Sequence, residues 1–415
     1  MKIIKASELR LANTAYEQIK EIDTVREIIR DVRKNGDSAV RKYTKKFDAV
    51  VPKSFEISKK EIRAAYKQVD EKTIAALRKA AKNIKYFTKE QFKGMKNFTV
   101  NRNGVILGQK IVPIEKIGCY APGGRYPLPS TALMCVIPAK VARVKEIIVC
   151  SPKIKPATIV AADIAGAGRI FSVGGAQAIA AMAYGTKTIP KVDKIVGPGN
   201  RFVTAAKKEV YGAVGIDFLA GPSEILIIAD GSGNAKMIAA DLLAQAEHDT
   251  NAKPYLVTTS RELAEKVNNE ISVQLDSLGT KETAELALLN GAIIIAPSLN
   301  EAIQVSNKKA PEHLELQVKN PKRLISKLTN YGSLFIGEYS AEVFGDYCSG
   351  TNHTLPTNGA ARYTGGLSVK DFVKILTYQR ITKNGAKKLI PIASQLAKVE
   401  GLEGHKKSAQ ARDWK

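Results

Sequence analysis

The chain has 415 residues, 44% apolar and 25% charged, the balance of a globular protein and not of a disordered one. At roughly 150 residues per domain this allows about two to three domains, and no run approaches the ~18 uninterrupted apolar residues of a membrane span. Lys and Arg outnumber Asp and Glu by 64 to 40, a net charge of +24 that raises the question of a polyanionic partner.

The distribution of that charge argues against nucleic acid. Residues 1–118 hold 28 basic and 14 acidic side chains and residues 371–415 hold 10 and 4, whereas the 252 residues between are nearly neutral. Aromatics, which nucleic-acid modules interleave with their basic patches, make up only 6%. The surplus therefore reads as the solvated faces of flanking helices. Four cysteines (Cys119, Cys135, Cys150, Cys348) stand far apart without a Cys-x-x-Cys pair, against both a disulfide framework and a thiolate zinc cage. The N-terminus lacks the apolar core of a signal peptide. A cytoplasmic, reduced enzyme is expected.

Residues 17–34 and 59–89 place apolar side chains at three- and four-residue spacing (Ile62, Ala65, Val69, Ile74, Leu77) between charges, which predicts amphipathic helices. From about residue 111 short apolar runs take over, at 111–114, 146–150, 169–173, 194–196, 224–230, 253–258 and 291–296. Helical patterns lie between them at 129–142, 176–183, 200–211 and 235–247. Alternating apolar strands and helices mean parallel sheets covered on both faces. The expected fold is α/β, with two Rossmann-like parallel-sheet domains split near Gly221-Pro222, N-terminal helices and a small C-terminal helical segment. The expected boundaries are 1–110 for the helical region packing on the core, 111–222 and 223–370 for the two domains, and 371–415 for the last segment. Ligands of such folds sit at the carboxyl ends of the strands.

The chain has no Gly-x-Gly-x-x-Gly and no Walker A sequence. The nearest match, Gly231-Ser-Gly233, lacks the third glycine and reads as a plain turn. Three other loops each follow a strand and carry a polar group: Tyr120-Ala-Pro-Gly-Gly-Arg125, Val173-Gly-Gly-Ala-Gln177 and Val196-Gly-Pro-Gly-Asn200. Glycine there lets a ligand approach the backbone, and a following helix offers N–H groups to an anion. Cys150 ends a strand with no histidine adjacent to activate it, so a buried structural thiol is the better reading.

Only four histidines occur. His248 lies three residues after Gln245, which predicts a shared helix face. His353 follows Asp346 through a glycine loop, and His405 follows Glu400. Nitrogen and oxygen donors without thiolates suit an open zinc or manganese site, and Gln245, His248, Asp346 and His405 could form one if the fold gathers them. Glu312-His313 follows Pro311. At a strand end or loop both could point into a cleft, as an acid–base pair able to handle two different protons.

Together Tyr120-Ala-Pro-Gly-Gly, Gly174-Gly-Ala-Gln-Ala-Ile-Ala, Lys191-Val-Asp-Lys-Ile-Val-Gly-Pro-Gly-Asn200, Ala220-Gly-Pro-Ser-Glu224, Gln245-Ala-Glu-His248, Pro311-Glu-His313, Gly345-Asp346 and Gly350-Thr-Asn-His-Thr-Leu-Pro-Thr357 resemble the histidinol dehydrogenase family, over nearly the whole chain. The resemblance implies NAD-dependent four-electron oxidation of L-histidinol, through L-histidinal, to L-histidine in the last steps of histidine biosynthesis. It implies an interlocked homodimer with one zinc per subunit, and a dimer-exchange role for 371–415. By matching motif, Gln245, His248, Asp346 and His405 would hold zinc, and Glu312 and His313 would form the acid–base pair. Tyr120, Gln177 and Asn200 would hold NAD; Ser223 and Glu400 would join these zinc and acid–base residues around the substrate. The segment with Glu400 and His405 would cross from the partner subunit. No role follows for Arg125, Tyr126 or His353. The competing readings are a dehydrogenase of another amino alcohol, a zinc hydrolase with Glu312 as base, and a basic binding module.

Overall fold

A computed structural model of the chain describes residues 1–10, 21–124 and 126–413. Arg125 and the start of the first expected helix, 17–20, lie outside the described residues.

The first sheet has five parallel strands in the order Arg169–Ser172, Glu146–Ser151, Lys116–Tyr120, Lys194–Val196, Gly215–Ile216. Numbered along the chain this is 3-2-1-4-5, with a switch point between the strands ending at Tyr120 and Val196. Side chains alternate across the pleat, so Ile147 and Val149 face one core and Ile148 and Cys150 the other. Helices Glu71–Lys93, Pro129–Val141 and Pro156–Ala165 cover the first face. Ile22–Asn35, Asp37–Asp48, Gly175–Tyr184 and Arg201–Val210 cover the second. The basic flank has the expected origin: Glu71–Lys93 buries Leu77, Ala80, Ala81, Ile84 and Thr88 and leaves Lys72, Lys79, Lys82, Lys85 and Lys89 exposed.

Phe171 measures how tightly the second face is packed. It is fully buried, with the Arg169 guanidinium 4.9 Å from its ring centroid. Phe171→Ala should cost about 3–5 kcal/mol, read as a lowered midpoint in denaturant unfolding; an unchanged midpoint would show that this layer contributes little.

The second sheet repeats the order. Glu224–Ala229, Lys253–Thr258, Ala292–Ile295, His313–Gln317 and Ser333–Ile336 are again arranged 3-2-1-4-5, all parallel. Ile3–Lys5 pairs in parallel with Ala292–Ile295 at the edge. The first hundred residues are thus not wholly helical: the chain opens by completing the second sheet.

Two further elements differ from the sequence reading. Residues 111–113 end the strand Val105–Pro113, which pairs antiparallel with Phe98–Arg102 and with Val373–Ile381. The first parallel strand begins only at Lys116. A short apolar run does not reveal which sheet it joins, and here Pro113 closes one strand just before the next begins. The C-terminal segment likewise starts as the strand Val373–Ile381 before helices Lys383–Val399 and Glu403–Gln410. Its β-branched and aromatic residues (Val373, Ile375, Thr377, Tyr378, Ile381) favour extended backbone.

One face of this three-stranded ribbon is apolar and uncovered. Register places Ile375 opposite Ile111 and Val100 opposite Leu107, and Phe98, Val100, Leu107 and Ile375 are each about half exposed. Ile392, Leu396 and Val399 form a second exposed stripe on the helix that follows. Among the described residues no helix is long and apolar enough to cross a membrane.

Candidate active site

A cleft of about 790 Å³ separates the two sheets. The first sheet contributes the carboxyl ends of its strands, as expected, through Pro122 and the Pro198–Arg201 loop at the switch point. The second sheet presents its amino ends instead: Ser223 precedes the strand Glu224–Ala229, and Glu312 and His313 sit at the start of His313–Gln317. The expectation of carboxyl ends on both sides is corrected by this arrangement.

Gln245, His248, Glu312, His313 and Asp346 meet in the cleft although the sequence spreads them over a hundred residues. Gln245 lies on the helix Ala235–Ala246; His248 stands just beyond its end, so the two share a helix terminus and not a helix face. His248 Nε2 is 4.0 Å from an Asp346 oxygen. Asp346 lies on the short helix Glu342–Tyr347, one turn after Glu342. His248, Glu342 and Asp346 bring one ligand atom each within 4.8 Å of one another.

The catalytic candidates are deeply buried. Glu312 accepts the Glu224 N–H over 2.9 Å and lies 3.7 Å from His313 Nδ1. Burial, reinforced by Asp346, pushes the Glu312 carboxyl up to about 8 against the pull of His313 and Lys309. His313 Nδ1 is 3.2 Å from the Glu224 carbonyl oxygen. A proton on Nδ1 donated to that carbonyl leaves Nε2 as the base, turned toward Asp346 at 3.4 Å and Glu342 at 3.6 Å. Burial alone would lower His313, but Glu312, Glu342 and Asp346 together outweigh it and raise the ring to about 10.

Four buried polar atoms here have no hydrogen-bond partner among the described residues: Gln245 Oε1, His313 Nε2 and both Glu342 oxygens. Such groups are costly when unsatisfied. Their convergence, with His248 and Asp346 beside them, fits a bound cation, and nitrogen and oxygen donors without thiolates suit zinc or manganese. Cys150 takes no part. It is fully buried, and burial pushes its thiol up, away from the thiolate.

The other expected residues fall into three groups. Ser223 and Asn200 line the cleft, and Asn200 Oδ1 caps the helix Arg201–Val210 by accepting the Phe202 and Val203 N–H groups. Gly197 opens that loop with φ of +112°, where a Cβ would meet the Tyr120 carbonyl, and a buried Lys207–Asp217 pair grips its backbone. Tyr120 and Gln177 lie beneath the surface. Tyr120 is buried, so its ring offers no open stacking face, and its hydroxyl accepts the Gly175 N–H; Gln177 Oε1 has no partner among the described residues. Glu400 and His405 are exposed and outside the cleft lining, so within one chain His405 does not join the other three candidate ligands.

Sequence reasoning missed several members of this site. Glu342, Glu315 and Gln317 are buried beside His313, and Lys309 is buried against Glu224. His313, Glu315 and Gln317 alternate with Leu314 and Leu316, which a period-two reading of that strand could have found. His353, whose role the sequence left open, bridges the two halves: Nδ1 is 2.8 Å from the Asp346 carbonyl and Nε2 3.2 Å from Thr131 Oγ1.

With this geometry in place, comparison with known proteins is decisive. The histidinol dehydrogenase family model matches residues 11–413. The chain belongs to the histidinol dehydrogenase family. A histidinol dehydrogenase from Methanocaldococcus jannaschii is 49% identical, over 99% of this chain and 97% of that one. Another, from Bacillus cereus, is 48% identical over 97% and 94%. The crystal structure of histidinol dehydrogenase from Elizabethkingia anophelis superposes with a TM-score of 0.93 at 39% identity, covering 99% of this chain and 98% of that one. Histidinol dehydrogenase activity, an oxidoreductase function of histidine biosynthesis, follows from membership of this family.

Proposed function

We propose that the chain carries out the four-electron oxidation of L-histidinol through L-histidinal to L-histidine, with two NAD per turnover, one zinc per subunit and a cytoplasmic homodimer as the working form. The observation that carries this reading is the meeting of a buried Glu–His pair with a cluster of unsatisfied nitrogen and oxygen donors in one cleft.

Gln245, His248 and Asp346 would hold the metal, with His405 of the partner subunit as fourth ligand. Bound there, zinc would orient the substrate's imidazole and amine, and its charge would disfavour a proton on His313 and restore the base form. Asn200 and the helix terminus it caps, supported by Tyr120 and Gln177, would bind NAD, the hydride acceptor. Ser223 would contact the substrate from the cleft wall, and the partner subunit's Glu400 would receive its amine.

His313 Nε2 takes the hydroxyl proton in the alcohol step, while the Glu224 carbonyl holds the ring in the required tautomer. Glu312 then removes a proton from the water that attacks the aldehyde carbon. Once both groups have passed these protons to solvent, His313 accepts the hydroxyl proton of the resulting hydrate in the second oxidation. Both groups are shielded from solvent, which keeps the aldehyde from side reactions between steps.

The dimer reading rests on the ribbon Phe98–Arg102, Val105–Pro113, Val373–Ile381 and on the helix Lys383–Val399 that follows it. Their exposed apolar side chains are grouped on one ribbon face and one helix stripe and not scattered singly, the grouping that marks an interaction surface. A second copy laid against them would carry its own Glu400 and His405 segment away from its own body.

NADH formation from L-histidinol tests the reading. Two NADH per histidinol are expected, with activity lost on chelation and restored by zinc. No NADH from a folded, zinc-loaded dimer would leave a family scaffold with another substrate, such as a related amino alcohol.

A further inference from the structure

Glu224 grips both members of the acid–base pair through its own peptide groups. Its N–H donates to Glu312 and its carbonyl lies against His313 Nδ1. Its side chain, 0% exposed, is held at both oxygens: Lys309 Nζ donates to one and the Asn358 N–H to the other at 2.6 Å. Lys309 ends the helix Leu299–Lys309 and is followed directly by Ala310, in the left-handed region at φ +52°, then Pro311 and Glu312. Three segments therefore converge on one carboxylate: the strand Glu224–Ala229, the turn that delivers Glu312, and the loop of Thr357 and Asn358 that lines the cleft.

Neither Glu224 nor Lys309 lines the cleft. A charged pair this buried is a poor device for stability, because desolvation offsets its attraction and an apolar pair of the same shape often holds a fold as well. What an ion pair adds is a fixed geometry. Resting on the acid–base reading above, we propose that the Glu224–Lys309 ion pair is the positioning element of this site, fixing the peptide groups from which Glu312 and His313 are held.

The pair also carries a charge effect. Glu312 is faced by the adjacent His313, by Asp346 beside that ring and by Lys309. Lys309 is faced by Glu224, Glu312 and Arg362, with the Tyr255 ring 5.6 Å from Nζ. The Lys309 cation favours the ionised form of Glu312, so its removal makes Glu312 harder to ionise.

The test compares Lys309→Met, Lys309→Arg, Glu224→Gln and the double variant Glu224→Gln/Lys309→Met as zinc-loaded enzymes, with L-histidinal supplied directly and Glu312→Gln as reference. The expected result is a kcat for aldehyde oxidation lowered about 10–100-fold, with KM for NAD and zinc content within about twofold of the native chain. Lys309→Met should also move the acid limb of the pH profile upward, and Lys309→Arg should recover part of both effects. If Lys309→Met does not fold, the double variant decides, since it buries no lone charge. Unchanged kcat in the double variant overturns the proposal, as does loss of zinc in step with kcat, which would mark a merely structural pair. If Glu312→Gln leaves aldehyde oxidation intact, the acid–base reading itself falls, a result distinguishable from failure of the ion pair alone.

Discussion

Glu312→Gln is expected to leave oxidation of the alcohol within about tenfold of native while slowing oxidation of the aldehyde by about 10²–10⁴-fold, the range of a lost general base. The amide oxygen can still accept the Glu224 N–H that holds Glu312 in place, so the geometry of the site should survive. What disappears is the proton acceptor for the attacking water. The pH dependence gives an independent reading. Burial raises the Glu312 carboxyl to about 8, with Asp346 adding to the rise. Only the carboxylate can act as base, so the aldehyde step should climb with pH through the Glu312 titration, which burial displaces above the ordinary carboxylate range, and level off above it, and the Gln variant should lack that limb. Single-turnover NADH formation from L-histidinol and from L-histidinal separates the two steps. Equal losses in both would show that Glu312 is not the specific water activator.

That such a split could be anticipated from sequence reflects where chemistry leaves marks in a chain. Glu312-His313 and Gln245-Ala-Glu-His248 are local motifs, and scarce histidines make their neighbours informative. Lys116–Tyr120, Gly215–Ile216, His313–Gln317 and Ser333–Ile336 escaped, but three strands of each sheet were legible for the same reason: buried parallel strands are continuous apolar runs, as in Glu224–Ala229, all six residues of which are buried. The ribbon was not. The run at 111–114 is as apolar as a parallel strand, and its partner Val373–Ile381 lies far away in a segment expected to be helical. Pairing over such a distance leaves no local signal. The same limit hid the amino-edge placement of Glu312 and His313, because strand direction at a cleft depends on how two sheets face each other and not on any one motif. Glu224 and Lys309 escaped for another reason. A buried Lys looks like a surface Lys in sequence, and only the fold shows that it ends its helix against a carboxylate.

Mixing two inactive variants should restore activity if the site is shared between subunits. His248→Ala removes a metal donor from the cleft, whereas His405→Ala removes one from a helix that is exposed in the single chain. Each variant alone should lose bound zinc and fall to background. In a mixed dimer the subunit with native His248 faces a partner with native His405, so one of its two sites is intact and the other carries both changes. Random assortment makes half of the dimers mixed, and recovery of about a quarter of the native activity and zinc content is expected from a two-fold symmetric assembly. Co-expression with two different tags, followed by sequential purification, isolates the mixed dimers, whose expected activity is then about half of native by the same symmetry. Background activity in purified mixed dimers would mean that each chain completes its own site. The exposed helix would then have to fold back onto the cleft, and the apolar ribbon would need another explanation. Recovery would instead join the two features that a single chain leaves apart: three candidate ligands gathered without His405, and that histidine carried outward on an arm with an uncovered apolar face.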